Sequence, residues 1–253
     1  MSPSRPEIGR RGAVRAVVTD IDGTLTDRSR RLDPDAVRAI RAIEDRGIPV
    51  LLATGNVLPI ALALHRSLGL SGPIVAENGG ILCTGRAGSE RVELRADRAL
   101  ALRALRRARS RGLRLRPLFT DRWRETEVAL APTVSVRRLR TALRGLPVRV
   151  EATGYAVHLI EAGVGKLGTV TAALGRMGIA LDEIVALGDG DNDVELLAAA
   201  GRSVSFRSAS AAARRAAGYV ARRPYAAGFV EGLIHLGLVP GPSRTRGGRD
   251  ARR

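Results

Sequence analysis

Cysteine is almost missing from this chain. Cys83 is the single one in 253 residues, so no intrachain disulfide can form and no cysteine cluster can hold a metal. Any metal bound here must sit on oxygen ligands. Aromatic residues make up only 3%; the core must be built from Leu, Val, Ile and Ala, and few rings are available to stack nucleic-acid bases. Long hydrophobic runs are lacking too. The greasiest stretch, "GIPVLLATGNVLPIALALH", is broken by Gly55, Asn56 and Pro59, which excludes a membrane span. The N-terminal "MSPSRPEIGRRGAVRAVV" has charge but no apolar segment followed by a small-residue cleavage site. A soluble cytoplasmic protein is the expectation.

Lysine is nearly missing too. Of 42 basic residues, Lys166 in "EAGVGKLGTV" is the only lysine and the other 41 are arginines. A compact ammonium on a flexible stem fits places that a wide planar guanidinium does not. Lys166 either marks such a place or survives by accident; its surroundings decide.

What is present reads as globular. Hydrophobic residues make up 45%, too many for disorder, and the length suits one or two domains. The net charge of +17 invites a polyanion partner. Yet there is no zinc-finger spacing or RNP-type motif, and blocks such as "RALRRARSRGLRLR" alternate Arg with Leu and Ala as solvated faces of folded elements do. No specific nucleic-acid partner is expected, only weak, salt-sensitive binding.

From Val14 short apolar runs alternate with amphipathic helices: strand "AVRAVVTD", helix 33–47 with Asp33 as cap and Pro34 in its first turn, strand "IPVLLAT", helix "VLPIALALHRSLG", strand "GPIVAEN". This rhythm predicts a doubly wound, parallel-sheet α/β core. After Gly80 the pattern changes. "RVELR", "LRLRPLF", "ETEVAL", "PVRVE" and "YAVHLI" read as strands, and 97–111 and "VSVRRLRTALRG" as helices, which suggests a small antiparallel α+β insert over 81–155. Between Leu82 and Ile160 there are 18 arginines against seven acids, a net +11. The core is expected over 12–80 and 156–240, with strands "EIVALGD" and "RSVSF". Residues 241–253 read as a disordered basic tail.

Three core strands end in polar residues: "TDIDGT" (19–24), "ATGN" (53–56) and "LGDGDND" (187–193). Ligands of an open parallel sheet bind beyond the carboxyl ends of its strands, so these segments should converge. Asp20, Asp22, Asp189, Asp191 and Asp193 would then gather beside Thr54 and Asn56. Carboxylates so crowded need neutralising, most simply by Mg²⁺ on hard oxygens and by the ammonium of Lys166. Taken singly, each segment could be a helix cap or a turn. "GDGDND" is not a calcium-binding EF-hand loop, because the closing Glu at its spacing is missing.

In this order, "DIDGT", "TGN", Lys166 and "GDGDND" resemble motifs I to IV of the haloacid dehalogenase superfamily of phosphatases, over roughly residues 14–235. The insert falls where that superfamily carries its C2-type cap, and "IDGTLTD", "VLLATGN" and "IVAENGG" are similar to the small-cap archaeal phosphoglycolate phosphatases. The resemblance implies a phosphomonoester hydrolase in which Asp20 is the nucleophile and forms an aspartyl-phosphate. Asp22 would serve as general acid and then base, and Mg²⁺ would lie on Asp20, the Asp22 carbonyl, Asp189 and Asp193. Thr54, Gly55, Asn56, Lys166 and Asn192 would hold the phosphoryl group. Two departures stand out: "KLG" where glycine usually follows the lysine directly, and Gly190 and Asp191 where Ser and Glu are common.

A small anionic phosphate ester is the expected partner, 2-phosphoglycolate first, with no membrane; a homodimer stays open as assembly. A sugar phosphatase, a phosphoglycerate-type phosphatase and a phosphomutase stay open, as does a basic nucleic-acid-binding protein on the same fold. Glu77 and Asn78 read as substrate contacts or a hinge turn, His158 as packed or capping. None of the insert's arginines is singled out.

Overall fold

The computed structural model describes residues 12–241. Its main sheet has eight strands. β1 (Ala16–Thr19), β2 (Val50–Ala53) and β3 (Ile74–Ala76) are followed by β4 (Ile81–Thr84) and β5 (Arg91–Leu94); β9 (Ile184–Leu187), β10 (Arg202–Phe206) and β11 (Tyr219–Ala221) complete it. Their spatial order is β11-β10-β9-β1-β2-β3-β4-β5. From β1 the chain runs outward through β2 and β3, then returns to the other side of β1 through β9, β10 and β11. The order therefore reverses between β1 and β9, the place where open α/β sheets bind ligands. All pairs are parallel except β3–β4 and β4–β5.

β1, β2 and β9 are buried at every residue, because helices cover both faces, as a parallel sheet requires. On one face α1 (Pro34–Glu44), α2 (Leu58–Leu68) and α8 (Tyr225–His235) bury Ile40, Ile43, Leu68, Phe229 and Leu233. On the other, α5 (Lys166–Arg176), α6 (Val194–Ala199) and α7 (Ala211–Ala216) bury Val170, Leu174, Leu196 and Ala213. α1 starts as its sequence demands: the Asp33 carboxylate accepts from the N–H groups of Asp35 and Ala36, and Pro34 fills the first turn. Among the described residues no helix is long and apolar enough to cross a membrane.

A second, three-stranded sheet has the order β6-β8-β7: β6 (Val128–Leu130), β7 (Val148–Ala152) and β8 (Val157–Glu161) are all antiparallel. α3 (Arg98–Ser110), capped by Asp97, and α4 (Val136–Ala142), capped by Ser135, pack on one face around Leu105, Leu130, Leu139 and Leu159. The opposite face carries Glu151 and His158, cross-strand partners that are both buried.

The bounds of this unit differ from the expected 81–155. β4 and β5 extend the main sheet, and β8, expected to re-enter the core at 156, is the central strand of the small one. β5 is an edge strand with Val92 and Leu94 53% and 52% exposed, so the apolar alternation of its sequence does not mark a buried face. "LRLRPLF" is not a strand beyond one bridge from Pro117 to Leu130; proline lacks the N–H to continue a ladder, and a 3₁₀ turn over Phe119–Trp123 follows. Of the tail expected at 241–253, residues 242–253 lie outside the described residues.

Candidate active site

The chain leaves β1 at Thr19 in register with Leu187 of β9 and Leu52 of β2. Asp20 follows, 7% exposed, its N–H donating to the Leu187 carbonyl at 3.0 Å. Lys166 opens α5 from the far side of the sheet's carboxyl edge. Its Nζ donates to Asp20 Oδ1 at 2.8 Å and to Asp193 Oδ1 at 2.6 Å, with the residue only 2% exposed. Asp20 and Lys166 are 146 positions apart. The other oxygen of Asp193 accepts from the N–H groups of Asp189 and Gly190 at 3.1 and 2.9 Å. Asp189 Oδ1 accepts from the Thr24 hydroxyl at 3.2 Å.

Gly23 makes this packing possible. Its φ of +86° is left-handed, and a Cβ there would lie 2.3 Å from Asp189 Oδ2. Any side chain would expel the carboxylate from its place.

Asp20, Asp189 and Asp193 each present one oxygen within 4.8 Å of the others. Three carboxylates share one ammonium, and the surplus bears on Asp20 and Asp189. Burial pushes Asp20 well above the ordinary carboxylate value, with Asp193 and Asp189 adding to it, and the Lys166 charge only partly offsets this. Burial and then the Asp193 charge push Asp189 up to about 7. Lys166 is raised as well: burial alone would lower it, but Asp193 and Asp20 outweigh that. Such a site lacks positive charge. Hard oxygens, crowding and unneutralised charge together fit a divalent cation.

Comparison with known proteins agrees. The family model of haloacid dehalogenase-like hydrolases matches residues 17–109 and 137–233. The chain belongs to the haloacid dehalogenase-like hydrolases. It is 36% identical over 222 residues to a phosphoglycolate phosphatase of Methanospirillum hungatei, covering 86% of this chain and 94% of that one. It is 38% identical over 232 residues to one of Aeropyrum pernix, covering 88% and 93%. Among solved structures, Thermoplasma acidophilum 0175 superposes with a TM-score of 0.81 at 27% identity, over 90% of this chain and all of that one. This haloacid dehalogenase-like hydrolase is a phosphatase.

The remaining expected site residues fall into two groups. Thr54, 1% exposed, follows β2, and its Oγ1 accepts from the Asn56 N–H at 3.0 Å. Thr54, Gly55 and Asn56 line the same cavity as Asp20, Asp22 and Asp189. Asn56 and Asn192, however, are turned toward protein. Asn56 Nδ2 donates to Asp22 Oδ2 at 3.1 Å, and Asn192 Nδ2 donates to Asn78 Oδ1 at 2.9 Å. The Asp22 carboxylate is thereby held apart from the trio. Burial raises its pKa, with Arg30 and the Asn56 hydrogen bond pulling the other way. Asp191, expected among the gathered acids, is exposed.

A second buried cluster faces this one; Asn78, Glu77 and His158 read from the sequence as turn, contact or packing residues, while its ion pair, Arg124 and Glu127, does not stand out there. Glu127, fully buried, accepts from Arg124 Nη1, from His158 Nδ1 at 2.9 Å and from Asn78 Nδ2 at 2.9 Å. Burial would raise the Glu127 pKa, but His158 and Arg124 overcome it and hold the carboxyl below its usual value. Arg124 Nη1 also donates to the Gly55 carbonyl at 3.0 Å, tying the small sheet to the Thr54 loop. Glu77 and Asn78 have φ of +50° and +56°, unusual for non-glycine residues. Glu77 accepts from the N–H groups of Glu125 and Thr126 and from the Thr126 hydroxyl. These two residues clamp the small sheet to the core.

Proposed function

We propose that this phosphatase hydrolyses 2-phosphoglycolate, with Mg²⁺ held by Asp20 and Asp189, assisted by Asp193 and the Asp22 carbonyl. The observation that carries the chemistry is the placement of Lys166 Nζ, 2.8 Å from Asp20 and 2.6 Å from Asp193, inside a surplus of carboxylates. The choice of substrate is supported by the names of the Methanospirillum and Aeropyrum relatives.

Asp20 attacks phosphorus through one carboxylate oxygen. The bond to the ester oxygen breaks, and the phosphoryl group passes to the enzyme as an aspartyl-phosphate. Asp22 gives its proton to the departing alkoxide; its burial-raised pKa suits a proton donor. The resulting carboxylate then takes a proton from water, which attacks phosphorus and frees Asp20. Asn56 keeps the Asp22 carboxyl in place throughout. Lys166 holds Asp20 as nucleophile and stabilises charge on the phosphoryl oxygens, together with the Thr54 hydroxyl and the Gly55–Asn56 amides. When bound, the cation cancels the repulsion between two anions, the nucleophile and the ester dianion.

The small sheet with α3 and α4 is read as a cap that excludes water and selects the substrate. A panel of phosphate esters assayed for phosphate release with and without Mg²⁺, with Asp20→Asn as control, tests the reading. Rapid, metal-dependent hydrolysis of 2-phosphoglycolate supports it; preference for a sugar phosphate, or isomerised product without phosphate, replaces it.

A further inference from the structure

Arg124 is buried in the wall of a cavity that it does not need for its own neutralisation. It is 5% exposed, and the cavity of about 620 Å³ that it lines also contains Asp20, Asp22, Thr54 and Asp189. One side of its guanidinium is engaged: Nη1 donates to the Gly55 carbonyl and to Glu127. The opposite edge is unpartnered. Nε is shielded from solvent and has no hydrogen-bond partner, and Nη2 donates to no described residue. A buried donor left unpaired costs free energy, and Nε with Nη2 is a fork that matches a carboxylate in a bidentate pair.

The fork is also held rigid. Glu127 is fixed by His158 and Asn78, and Asn78 in turn receives Asn192 from the loop after β9. The other arginines lining the cavity, Arg28 and Arg30, are exposed, and Arg30 lies over the Tyr155 ring at 5.0 Å.

We infer that Arg124 is the residue that selects the substrate, by pairing its Nε–Nη2 edge with a second anionic group, a carboxylate, on a short phosphate ester. The Arg124 guanidinium is bonded to the Gly55 carbonyl, next to Thr54, and lines the same cavity as Thr54 and Asp20, so a carboxylate on Arg124 and a phosphoryl group at Asp20 share one pocket. A short ester that carries both groups answers that arrangement. The inference deepens the proposed function and rests on the Asp20–Lys166 centre being the phosphoryl site.

The test compares two esters of equal size on the full-length Mg²⁺-loaded protein: 2-phosphoglycolate and 2-hydroxyethyl phosphate, which has an alcohol in place of the carboxylate. Arg124→Lys keeps the charge and loses the fork. Its kcat/KM should fall at least 100-fold on 2-phosphoglycolate, mostly through KM, and no more than about 3-fold on 2-hydroxyethyl phosphate. Arg124→Met combined with Glu127→Gln removes the ion pair as a unit and should show the same selectivity, which guards against a single variant that misfolds. Equal losses on both esters would mean that Arg124 supports the fold or holds the phosphoryl group, and would overturn the inference. A wild-type enzyme that hydrolyses both esters equally well overturns it too while leaving the phosphatase chemistry standing. Absence of ester hydrolysis by the wild type sinks the phosphatase reading itself.

Discussion

Two clusters of buried charge face one cavity, and they are built on opposite principles. At the carboxyl edge of the main sheet, Asp20, Asp189 and Asp193 share a single ammonium. On the small sheet, one carboxylate, Glu127, is surrounded by a guanidinium, an imidazole and an amide. The first cluster is short of positive charge, and the pKa values of Asp20 and Asp189 rise; the second is satisfied and the Glu127 pKa falls. Burying ions is costly in both places. The difference shows where a missing partner belongs: an unneutralised cluster is the place for an external ion, while a self-neutralised one can be structural and still offer a free edge.

Removing the nucleophile tests the surplus side most severely. Asp20→Asn should lower turnover by at least about 10⁴-fold while leaving the metal-free protein no less stable, since it deletes one of the crowded carboxylates. Phosphate release and thermal unfolding measure the two halves. A large stability loss would mean that the acids are not in excess.

Lys166 comes next. Lys166→Arg should cost about 100-fold or more in kcat, the scale seen for one fixed donor at a developing charge. Turnover within a few-fold of wild type would remove the case for a point charge at this position. Lys166→Met leaves Asp20 and Asp193 buried without a counter-ion and should lose about 3–5 kcal/mol of stability in denaturant unfolding.

On the balanced side, Glu127→Gln should cost about 3 kcal/mol, because Arg124 and His158 stay buried without their carboxylate. If urea melts of this variant match the wild type, the ion cluster is not what joins the small sheet to the core.

The smallest effect expected is that of pH on metal binding. The folded-state pKa of Asp189 is raised to about 7 and that of Asp20 is raised as well, so the native state keeps protons that the unfolded chain releases. This contribution is fully present below the unfolded carboxylate value and is lost as pH rises through about 7. The metal-free protein should therefore melt lower at pH 8 than at pH 5.5. Mg²⁺ at a hundredfold excess over its Kd should restore about 2.7 kcal/mol at the higher pH, and less at the lower. An equal Mg²⁺ effect at both values would indicate that the cation does not relieve the carboxylates.

Much of the first cluster was legible in the linear chain. "TDIDGT", "ATGN" and "LGDGDND" each follow a fully apolar strand, and the carboxyl edge of a parallel sheet gathers whatever follows its strands. Lys166 stood out because arginine fills nearly every other basic position. The ion pair at the centre of the second cluster was not legible. Arg124 is one of 18 arginines in a stretch where most are exposed, and nothing local distinguishes it. His158 alternates with apolar neighbours like any half-wet strand residue, and the positive φ values of Glu77 and Asn78 arise only when both side chains are pinned by the small sheet. The bounds of the insert were misread for a related reason: the alternation in β5 and β8 does not state which sheet a strand joins.

The amino-acid sequence by itself therefore determined the layered core, the strand-end acids and the lone amine, because these follow from periodicity and from residue types with few other uses. Which arginine faces the cavity, which sheet claims β4, β5 and β8, and how Asn56 and Asn192 are turned were decided only in the folded chain. Asn56, Arg124 and Asn192 find partners 34, 69 and 114 residues away, and a buried polar atom takes whichever group completes its hydrogen bonds.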